Sequence, residues 1–528
     1  MFSTRRKEEI EDIHLQIEGQ EPQKEENITI STPTPISKTD FNWIIGILLL
    51  ALTLTSLDQG VVTVALPSII QDLNAVELFG WLVSGYLLTA ASFSPLYGKI
   101  FNIYGRKKLL QFAIWTFCLG SIWCGVAQNM WWLISGRMIQ GIGCAGIISL
   151  TFIVIVDLVP PLERGKYNGI LGLSFVVGLV GGPVLGGALS ESKLGWRSIF
   201  FINIPICILC SFIIYKKMPK STYSSSSFLQ KIDYLGSCFL CLGTICLLLG
   251  LTWGNEQNSQ GWSNWYTIFV LVLSFLSFLL FIFQEQKVKE QAIIPLHLFQ
   301  LPNFSLPLFI HIVNGIPLFG IISYLPLFFQ IVLHVSGTMA GVYMIPCMVV
   351  IIVAGGISGT SISKKGSKYK LWIVIPLFLQ ILGLGLFVLI TSTTNTSYGF
   401  IFIFLCLLAI GAGCVVPTLQ LIIQAAPSLK EEQTIASSVA SFSRELGGCI
   451  GVGIFQTIFN CIYQQQLSLH GLNASLIVDY GVEQIYEDVN KDLILASYTY
   501  SFHVLFAIAS TLTGFLFILS CFIKNKSF

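Results

Sequence analysis

The stretch Gly98-Lys99-Ile100-Phe101-Asn102-Ile103-Tyr104-Gly105-Arg106-Lys107-Lys108 is a short basic turn between two long apolar runs, and its two glycines are seven residues apart. The same spacing recurs at Gly359 and Gly366, after which two lysines follow and a new apolar run opens at Leu371. An internal repeat of this kind predicts two related halves built from the same number of helices.

The apolar runs on either side of these turns predict a multi-pass membrane protein. Of the 528 residues, 54% are hydrophobic and only 11% are charged. Because a helix rises about 1.5 Å per residue, about 20 apolar residues cross a hydrocarbon layer that is about 30 Å thick. The runs between charged and Pro/Gly-rich breaks give fourteen predicted helices, which start near Trp43, Phe79, Leu109, Trp131, Tyr167, Ile199, Asp233, Trp265, Phe304, Thr338, Leu371, Gly399, Thr434 and Ser501.

The distribution of Lys and Arg supports this number of helices and orients the chain. Short loops rich in these residues stay in the cytosol. With the N-terminus inside, 24 of the 29 Lys and Arg residues fall on the cytosolic side, whereas Lys193, Arg197 and Lys491 fall in outer loops. Arg137 and Arg444 lie inside apolar runs. We therefore expect both termini in the cytosol, and the net charge of +2 is a sum over two unlike faces that says nothing about nucleic acid.

Four regions follow from the order of the helices. Residues 1–40 mix Glu, Lys, Ser and Pro, and they predict a disordered cytosolic tail without a cleavable signal peptide. Residues 41–216 are predicted to form an N-terminal six-helix bundle and residues 301–528 a C-terminal six-helix bundle. Residues 217–300 form a linker with two inserted helices, 7 and 8. The predicted fold class is an all-α polytopic membrane protein with fourteen transmembrane helices.

Two six-helix bundles with a site between them at mid-membrane are typical of transporters whose halves open alternately to each side. The turn over residues 98–108 resembles the loop 2-3 signature of the major facilitator superfamily. Fourteen helices suggest its fourteen-helix drug:proton antiporter family, which is well represented in fungi. Further motifs over about residues 41–523 resemble that family in the correct order: Leu57-Asp58-Gln59 with Val64-Ala65-Leu66-Pro67; Leu133, Gly136-Arg137, Gln140-Gly141 and Gly143; Gly178, Gly182-Pro183 and Gly186-Gly187; Trp196-Arg197, Phe200 and Ile202-Asn203-Ile204-Pro205; Tyr324-Leu325-Pro326 and Gln330; Arg444 and Leu446-Gly447-Gly448.

The basic turn is a candidate gating loop. It departs from the family pattern, which usually has Asp in place of Asn102 and Arg in place of Ile103, so the usual charge relay is in doubt. The remaining basic residues are expected to bind helix C-termini or the opposite half when the inner gate is closed. The candidate gating residues are Gly98, Asn102, Gly105, Arg106 and Lys107.

Asp58 and Arg137 are charged residues at similar depths in the membrane. Asp58 lies eight residues before Leu66, about 12 Å below the outer end of helix 1, and Arg137 lies six residues past Trp131, about 9 Å below the outer end of helix 4. Burial pushes a carboxyl towards its neutral form and a guanidinium opposes this, so moving the partner would couple protonation to conformation. We predict that Asp58 carries the coupling proton and that Gln140 hydrogen-bonds to either charge; the alternative is a permanent structural ion pair.

Helix 13 carries Arg444 and Glu445 next to each other. Their side chains diverge by about 100°, so each is expected to find its own partner. The resemblance implies a mid-helix Arg at position 444, which either packs against the helix-5 glycines or lines the cavity. Near the inner end of helix 4, Asp157 is predicted to be an interfacial cap or an inner-gate partner rather than a proton site.

The glycines of helix 5 let another helix approach closely, and a proline among them removes a backbone donor and bends the helix. On the residues alone this pattern indicates packing. As a match to the family's antiporter motif it implies a seal against proton leak and export rather than uptake. The motif residues are Gly178, Gly182, Pro183, Gly186 and Gly187.

A large, mostly apolar cavity with a few polar groups is the expected substrate site. Such a cavity suits bulky amphipathic or cationic compounds, with Asp58 or Glu445 supplying negative charge, although each candidate residue is individually more typical of packing. The candidates are Trp81, Tyr86, His311, Tyr324, Gln330, Gln420 and Gln424.

The sequence predicts a proton-coupled transporter that exports small organic compounds by alternating access. It contains no nucleophile-base pair, metal-ligand spacing or phosphate-binding loop, so an enzyme is not expected, and no cofactor is expected apart from protons as the coupling ion. The fungal relatives that it resembles also include carriers of siderophore-iron, glutathione and basic amino acids. A non-transporting sensor or receptor on the same fold is the alternative from another class.

The expected partners are a small-molecule substrate and the lipid bilayer, without nucleic acid. The plasma membrane is the expected location and the vacuolar membrane the alternative. The protein is expected to function as a monomer.

Overall fold

The computed structural model describes residues 37–73, 79–190, 195–219, 233–254, 261–288, 292–335, 337–365, 369–391, 398–470 and 491–525. The predicted tail up to residue 36 and Gly366 of the second basic turn lie outside these residues. From Thr39 onward, the described residues belong to one compact unit.

These residues form fourteen long helices in the order that the apolar runs predict. In chain order they are α1 (Lys38–Leu73), α2 (Phe79–Tyr104), α3 (Arg106–Gly125), α4 (Met130–Leu158), α5 (Pro161–Ser190), α6 (Arg197–Lys217), α7 (Tyr234–Gly254), α8 (Trp265–Val288), α9 (Pro302–Ile331), α10 (Gly337–Lys365), α11 (Leu371–Thr391), α12 (Tyr398–Ala425), α13 (Lys430–Leu469) and α14 (Lys491–Ser520). Helix α6 consists of two segments, Arg197–Phe201 and Asn203–Lys217.

Eleven of the helices in the described ranges contain a stretch long and apolar enough to cross a membrane. The other three are α2, α3 and α5; polar residues in α2 and the basic start of α3 reduce their hydropathy. The predicted start of the last helix near Ser501 is wrong, because α14 begins at Lys491. Hydropathy marks only the part of a helix in hydrocarbon, and α13, with 40 residues, is about 60 Å long.

Close glycine packing joins the first and fifth helices of the first half. A Cβ on Gly178 would lie 2.6 Å from the Leu57 amide nitrogen, and one on Gly182 would lie 2.8 Å from Gly60 Cα. A Cβ on Gly186 would lie 2.9 Å from the Val61 carbonyl oxygen. Three glycines spaced by four residues therefore let the α5 backbone lie directly against α1.

The second half repeats this contact between its own first and fifth helices. A Cβ on Gly451 of α13 would lie 2.6 Å from Ile316 Cα of α9, and one on Gly315 of α9 would lie 2.9 Å from the carbonyl carbon of Gly447. The equivalent helices α1 with α5 and α9 with α13 thus pack through glycine in both halves, in line with the internal repeat. The domain boundaries themselves stay a prediction.

The two halves meet through α5 with α10 and through α2 with α13. A Cβ on Gly169 would lie 2.7 Å from the Gly355 carbonyl oxygen, and one on Gly359 would lie 2.8 Å from the carbonyl carbon of Gly165. Near the C-terminal end of α2, a Cβ on Gly98 would lie 2.6 Å from Ser438 Cβ. Helix α5 therefore contacts α1 in its own half and α10 in the other.

We expect Gly178→Ala to lower the melting temperature of the purified protein, because its Cβ overlaps the α1 backbone; overpacking of this kind costs about 1–3 kcal/mol. Gly181→Ala is the matched control on the same helix, since its Cβ would only touch Leu57 Cδ1 at 3.9 Å. Equal melting temperatures for the two variants would contradict the packing assigned to α5.

Candidate functional site

A buried ion pair joins α1 and α4 in the first half. Arg137 Nη1 donates to Asp58 Oδ2, and both residues are 1% exposed. The same nitrogen donates to Gln140 Oε1 at 2.8 Å, and Gln140 Nε2 donates to Asp58 Oδ1 at 3.3 Å. The three residues singled out from the sequence therefore form one closed hydrogen-bonded triangle.

Two further polar residues complete this network and were not predicted as site residues. Asn203 of α6 donates to Asp58 Oδ1 at 3.0 Å and to Ser121 Oγ of α3 at 3.2 Å, while Gln140 Nε2 donates to the same hydroxyl at 2.7 Å. Asn203 stands in the Ile202-Asn203-Ile204-Pro205 motif, where a lone amide in an apolar run was the available signal. Ser121 carries no comparable signal, because helix interiors often bury serine against their own backbone.

The opposite side of the Arg137 guanidinium faces α2. Its carbon lies 4.2 Å from the centroid of the Tyr86 ring, and Nε donates to the Leu82 carbonyl at 3.3 Å. The Tyr86 hydroxyl donates to the Thr55 carbonyl on α1 at 3.4 Å. Arg137 therefore has neutral partners besides Asp58, which would remain if the carboxylate became protonated.

The inner ends of the two halves are joined by a shared carboxylate. Asp157 of α4 pairs with Arg106 from the gating loop, and its Oδ1 also lies 2.9 Å from Lys430 Nζ at the start of α13. Asp157 thus bridges both halves, which is the inner-gate position predicted for it. These ion pairs hold the end of α4 against the start of α13.

Asn102 also crosses between the halves, although it is neutral where the family usually has Asp. Its Nδ2 donates to the Glu431 carbonyl at 3.4 Å, and its Oδ1 accepts from Thr434 Oγ1 at 3.0 Å. Gly105 has a φ of 74°, a value that favours glycine and allows the sharp turn into α3. Lys107 binds the end of α6 by donating to the Tyr215 carbonyl.

A second charged pair lies where α13 meets the first half. Arg444 Nη2 lies 2.7 Å from Glu445 Oε1, so the expectation that these neighbours find separate partners is wrong. Both side chains are long enough to bridge the 100° between adjacent positions. The guanidinium lies 4.3 Å from the Phe175 ring of α5 and 5.9 Å from the Phe152 ring of α4, so Arg444 packs against a helix-5 aromatic ring rather than against its glycines.

Polar atoms without a partner surround this second pair. Ser443 gives its proton to the Ala440 carbonyl at 2.7 Å, so it accepts from His311 Nδ1 at 3.2 Å. This leaves His311 Nε2 as an unpaired acceptor, and Asn314 Oδ1 and Arg444 Nε also lack partners. Buried polar groups usually find a partner, so these atoms offer contacts to a ligand or to water.

The predicted cavity residues are not gathered around one cavity. Trp81 contacts Trp253 of the inserted helix α7, with ring centroids 6.3 Å apart, and Tyr324 contacts Phe459 at 5.2 Å. Gln330 donates to the Pro326 carbonyl of its own helix. Packing accounts for these three positions.

Two other cavity candidates lie between α12 and α13, and one of them, Gln424, also contacts the first half. Gln420 donates to the Ser437 carbonyl at 3.2 Å and Gln424 donates to Ser437 Oγ at 3.0 Å, while Gln424 Oε1 accepts from Asn168 of α5 at 3.0 Å. Of the seven candidates, His311 lies beside the Arg444 pair and Tyr86 beside the Asp58 pair. Two positions of the antiporter motif, Pro183 and Gly187, lie in α5, but their surroundings are outside the described part of the chain.

Comparisons with known proteins agree with this architecture. The family description Major Facilitator Superfamily matches residues 48–452. The "MFS transporter L2" of Phoma sp. is 31% identical over 485 residues, covering 89% of this chain and 80% of the relative. The "Efflux pump FUS6" of Gibberella fujikuroi is 32% identical over 436 residues, covering 81% and 77%.

Solved structures show the same fold. The human organic anion transporter MFSD10 (TETRAN) matches with a TM-score of 0.61 at 14% identity, covering 91% of this chain and 99% of that chain. The proton:xylose symporter XylE matches with a TM-score of 0.61 at 15% identity, covering 93% and 97%.

The chain belongs to the major facilitator superfamily. It is a multi-pass integral membrane transporter of small organic compounds, not an enzyme, and its relatives are fungal efflux pumps of the drug efflux type. The roles assigned to individual site residues stay predictions.

We expect Asp58→Asn to lower the stability of the fold by about 3–5 kcal/mol, because it leaves the Arg137 charge buried without a carboxylate. The double variant Asp58→Asn with Arg137→Gln removes both charges and should recover much of that loss. Thermal unfolding of the three purified proteins measures both effects. A double variant less stable than the single one would contradict the assigned pairing.

We expect Lys430→Gln to favour opening on the cytosolic side, because it removes the ion pair between α13 and Asp157 that joins the halves. Distances between spin labels on the cytosolic ends of the halves should lengthen. Lys216→Gln, which removes an exposed charge from the end of α6, is the control and should leave the distribution unchanged. An unchanged distribution in Lys430→Gln would remove this residue from the gate.

Proposed function

We propose that the protein exports small organic compounds in exchange for protons, by alternating access of the site between its halves. The single observation that carries this proposal is the fully buried pair of Asp58 and Arg137. A carboxylate at membrane depth is expensive to keep and usually has a functional use. The efflux pump names of its relatives support export rather than uptake.

The hydrogen bonds around Asp58 support reversible protonation. Protonation would remove the charge that holds Arg137, while Gln140 Oε1, the Leu82 carbonyl and the Tyr86 ring would still contact the guanidinium. The cation would therefore keep neutral partners in both states, which lowers the barrier to exchange. Asp58 is thus better suited to alternate between its protonated and ionised forms than a carboxylate whose arginine partner has no neutral hydrogen-bond acceptor nearby.

Helix packing supports a link from Asp58 to the opposite half. The contacts of Gly178 with Leu57 and of Gly182 with Gly60 lie on either side of Asp58 along α1. The same helix α5 contacts α10 through Gly169 and Gly165. A movement of α1 on protonation would therefore move α5 against the other half and shift the balance between the inward- and outward-open states.

The substrate is proposed to contact the second charged pair. Arg444 and Glu445 lie at the interface of the halves, next to the unpaired His311 Nε2, and two phenylalanine rings of the first half cover the guanidinium. A polar group between aromatic walls suits small organic compounds. The proposed setting is the plasma membrane, with both termini in the cytosol and a monomer as the working unit.

We expect substrate to drive proton movement in proteoliposomes of the wild-type protein and not of Asp58→Asn, measured with an internal pH dye. Cationic drugs, basic amino acids and iron-siderophore complexes are added in turn, so the responding class also decides between export of drugs and the alternative carriers. Asp40→Asn is the matched control, because Asp40 lies on the same helix but pairs with Lys217 at 2.7 Å near the surface.

Proton movement at the wild-type rate in Asp58→Asn would remove Asp58 from the mechanism. If that variant is poorly folded, the double variant with Arg137→Gln replaces it. If the folded wild-type protein moves no protons with any of the compounds, the alternative of a non-transporting sensor or receptor would be favoured.

A further inference from the structure

A cavity of about 220 Å³ lies at the cytosolic side, between the two halves. The first half contributes Pro161 and Arg164 from the start of α5. The second half contributes Gln433 from α13, Asn303 from α9 and Tyr369 immediately before α11. Because its walls come from both halves, the cavity exists only while the cytosolic ends of the halves are together.

The cavity carries a positive charge without a countercharge. Arg164 is 4% exposed, and no carboxylate in the described part of the chain forms an ion pair with it. Its guanidinium donates to the Val159 and Val156 carbonyls at 3.1 and 2.9 Å and to Gln433 Oε1 at 3.0 Å. Each terminal nitrogen thus uses one of its two N–H groups, and two donors remain.

Asp157 at the end of α4 forms no ion pair with Arg164. Asp157 already pairs with both Arg106 and Lys430. The first turns of α5 and α13 do contain acidic residues, but none of the described residues that line the cavity is acidic, and Glu432 instead contacts His297 at 2.9 Å. Arg164 is therefore the only charged residue among the described residues that line the cavity.

Helix orientation adds to this positive potential. Four helices of at least 21 residues, α5, α9, α11 and α13, begin at the cavity, whereas α12 ends there and α4 ends at the Arg164 guanidinium through the Val156 and Val159 carbonyls. Each helix N-terminus is equivalent to about half a positive charge. The polar lining groups Gln433, Asn303, Tyr369 and Ser428 are neutral. Gln433 accepts from the guanidinium, whereas Asn303 donates to the Tyr369 hydroxyl, which donates to the Lys524 carbonyl.

The size of the cavity limits its occupant. Sites for drug-sized ligands have volumes of about 300–1,000 Å³. The observed volume is smaller, so the cavity suits a small group rather than the bulky compounds of the substrate panel. It is also separate from the Asp58 and Arg444 pairs, whose residues do not line it.

We propose that this cavity binds a phosphate-type oxyanion, either free phosphate or the phosphate of a lipid head group, and that the bound anion stabilises the state closed to the cytosol. The anion accepts hydrogen bonds from the two remaining donors of Arg164. Opening of the cytosolic side separates Arg164 from Gln433 and dismantles the site. By linkage, the occupied protein opens to the cytosol less often.

Binding is measured with the purified full chain, as retention of radiolabelled phosphate in chloride buffer of constant ionic strength. A second arm measures thermal stability in nanodiscs of phosphatidylcholine with and without phosphatidic acid. We expect saturable binding in at least one arm, and which arm responds identifies the source of the phosphate. Absence of saturable binding in both arms would overturn the proposal.

Two variants test the site. Arg164→Gln removes the charge, and Gln433→Glu supplies a countercharge at 3.0 Å while keeping the accepting oxygen. We expect each to weaken binding at least tenfold. Without anion, Gln433→Glu should also be at least as stable as the wild type, because its carboxylate forms an ion pair with Arg164. If Arg164→Gln does not fold, Gln433→Glu alone tests the site.

The exposed Lys216→Gln on the same face is the control for non-specific attraction. It should bind phosphate as the wild type does. A tenfold loss in this control, or wild-type binding in Gln433→Glu, would overturn the site. These readouts do not involve proton movement, so they stay informative even if proton-coupled export is disproved.

Discussion

A carboxylate and a guanidinium buried together in an apolar bundle are difficult to separate, and the first half is arranged around this constraint. Asp58 and Arg137 are both 1% exposed, and breaking such a pair by losing one partner costs several kcal/mol. Gln140, Asn203 and Ser121 distribute the interaction over α1, α3, α4 and α6. Four helices of this half are therefore held by one polar network, and a change in the charge of the Asp58 carboxyl group would alter hydrogen bonds to all of them.

Helix α5 connects this network to the opposite half without taking part in it. Glycines place its backbone against α1 on both sides of Asp58, and other glycines place it against α10. Contacts of this kind depend on shape alone, because no side chain lies between the backbones. In the proposed mechanism the charged pair responds to protons, and the glycine-rich helix α5 transmits the movement to the other half.

The number and order of the helices followed from apolar runs and from the distribution of Lys and Arg. The sequence also placed Asp58 and Arg137 at similar heights along their helices, since each residue adds about 1.5 Å, and the two side chains do pair. Contacts that depend on how the helices pack or on side-chain rotamers could not be predicted from the sequence. Ser121 has no pattern that separates it from a serine bound to its own helix, and the pairing of Arg444 with Glu445 depends on rotamers rather than spacing. The cavity candidates were scattered because a mid-helix glutamine serves packing between α12 and α13 as readily as a substrate site.

The neutral side chain of Asn102 has a consequence for how the inner gate responds to its surroundings. Contacts between dipoles, such as Asn102 with Thr434 and with the Glu431 carbonyl, are hardly screened by dissolved ions. The Lys430 ammonium is half exposed, and screening over about 8 Å at physiological ionic strength weakens its attraction to Asp157. With an amide in place of one of the usual charges, the contact between α2 and α13 keeps part of its strength when the salt concentration rises.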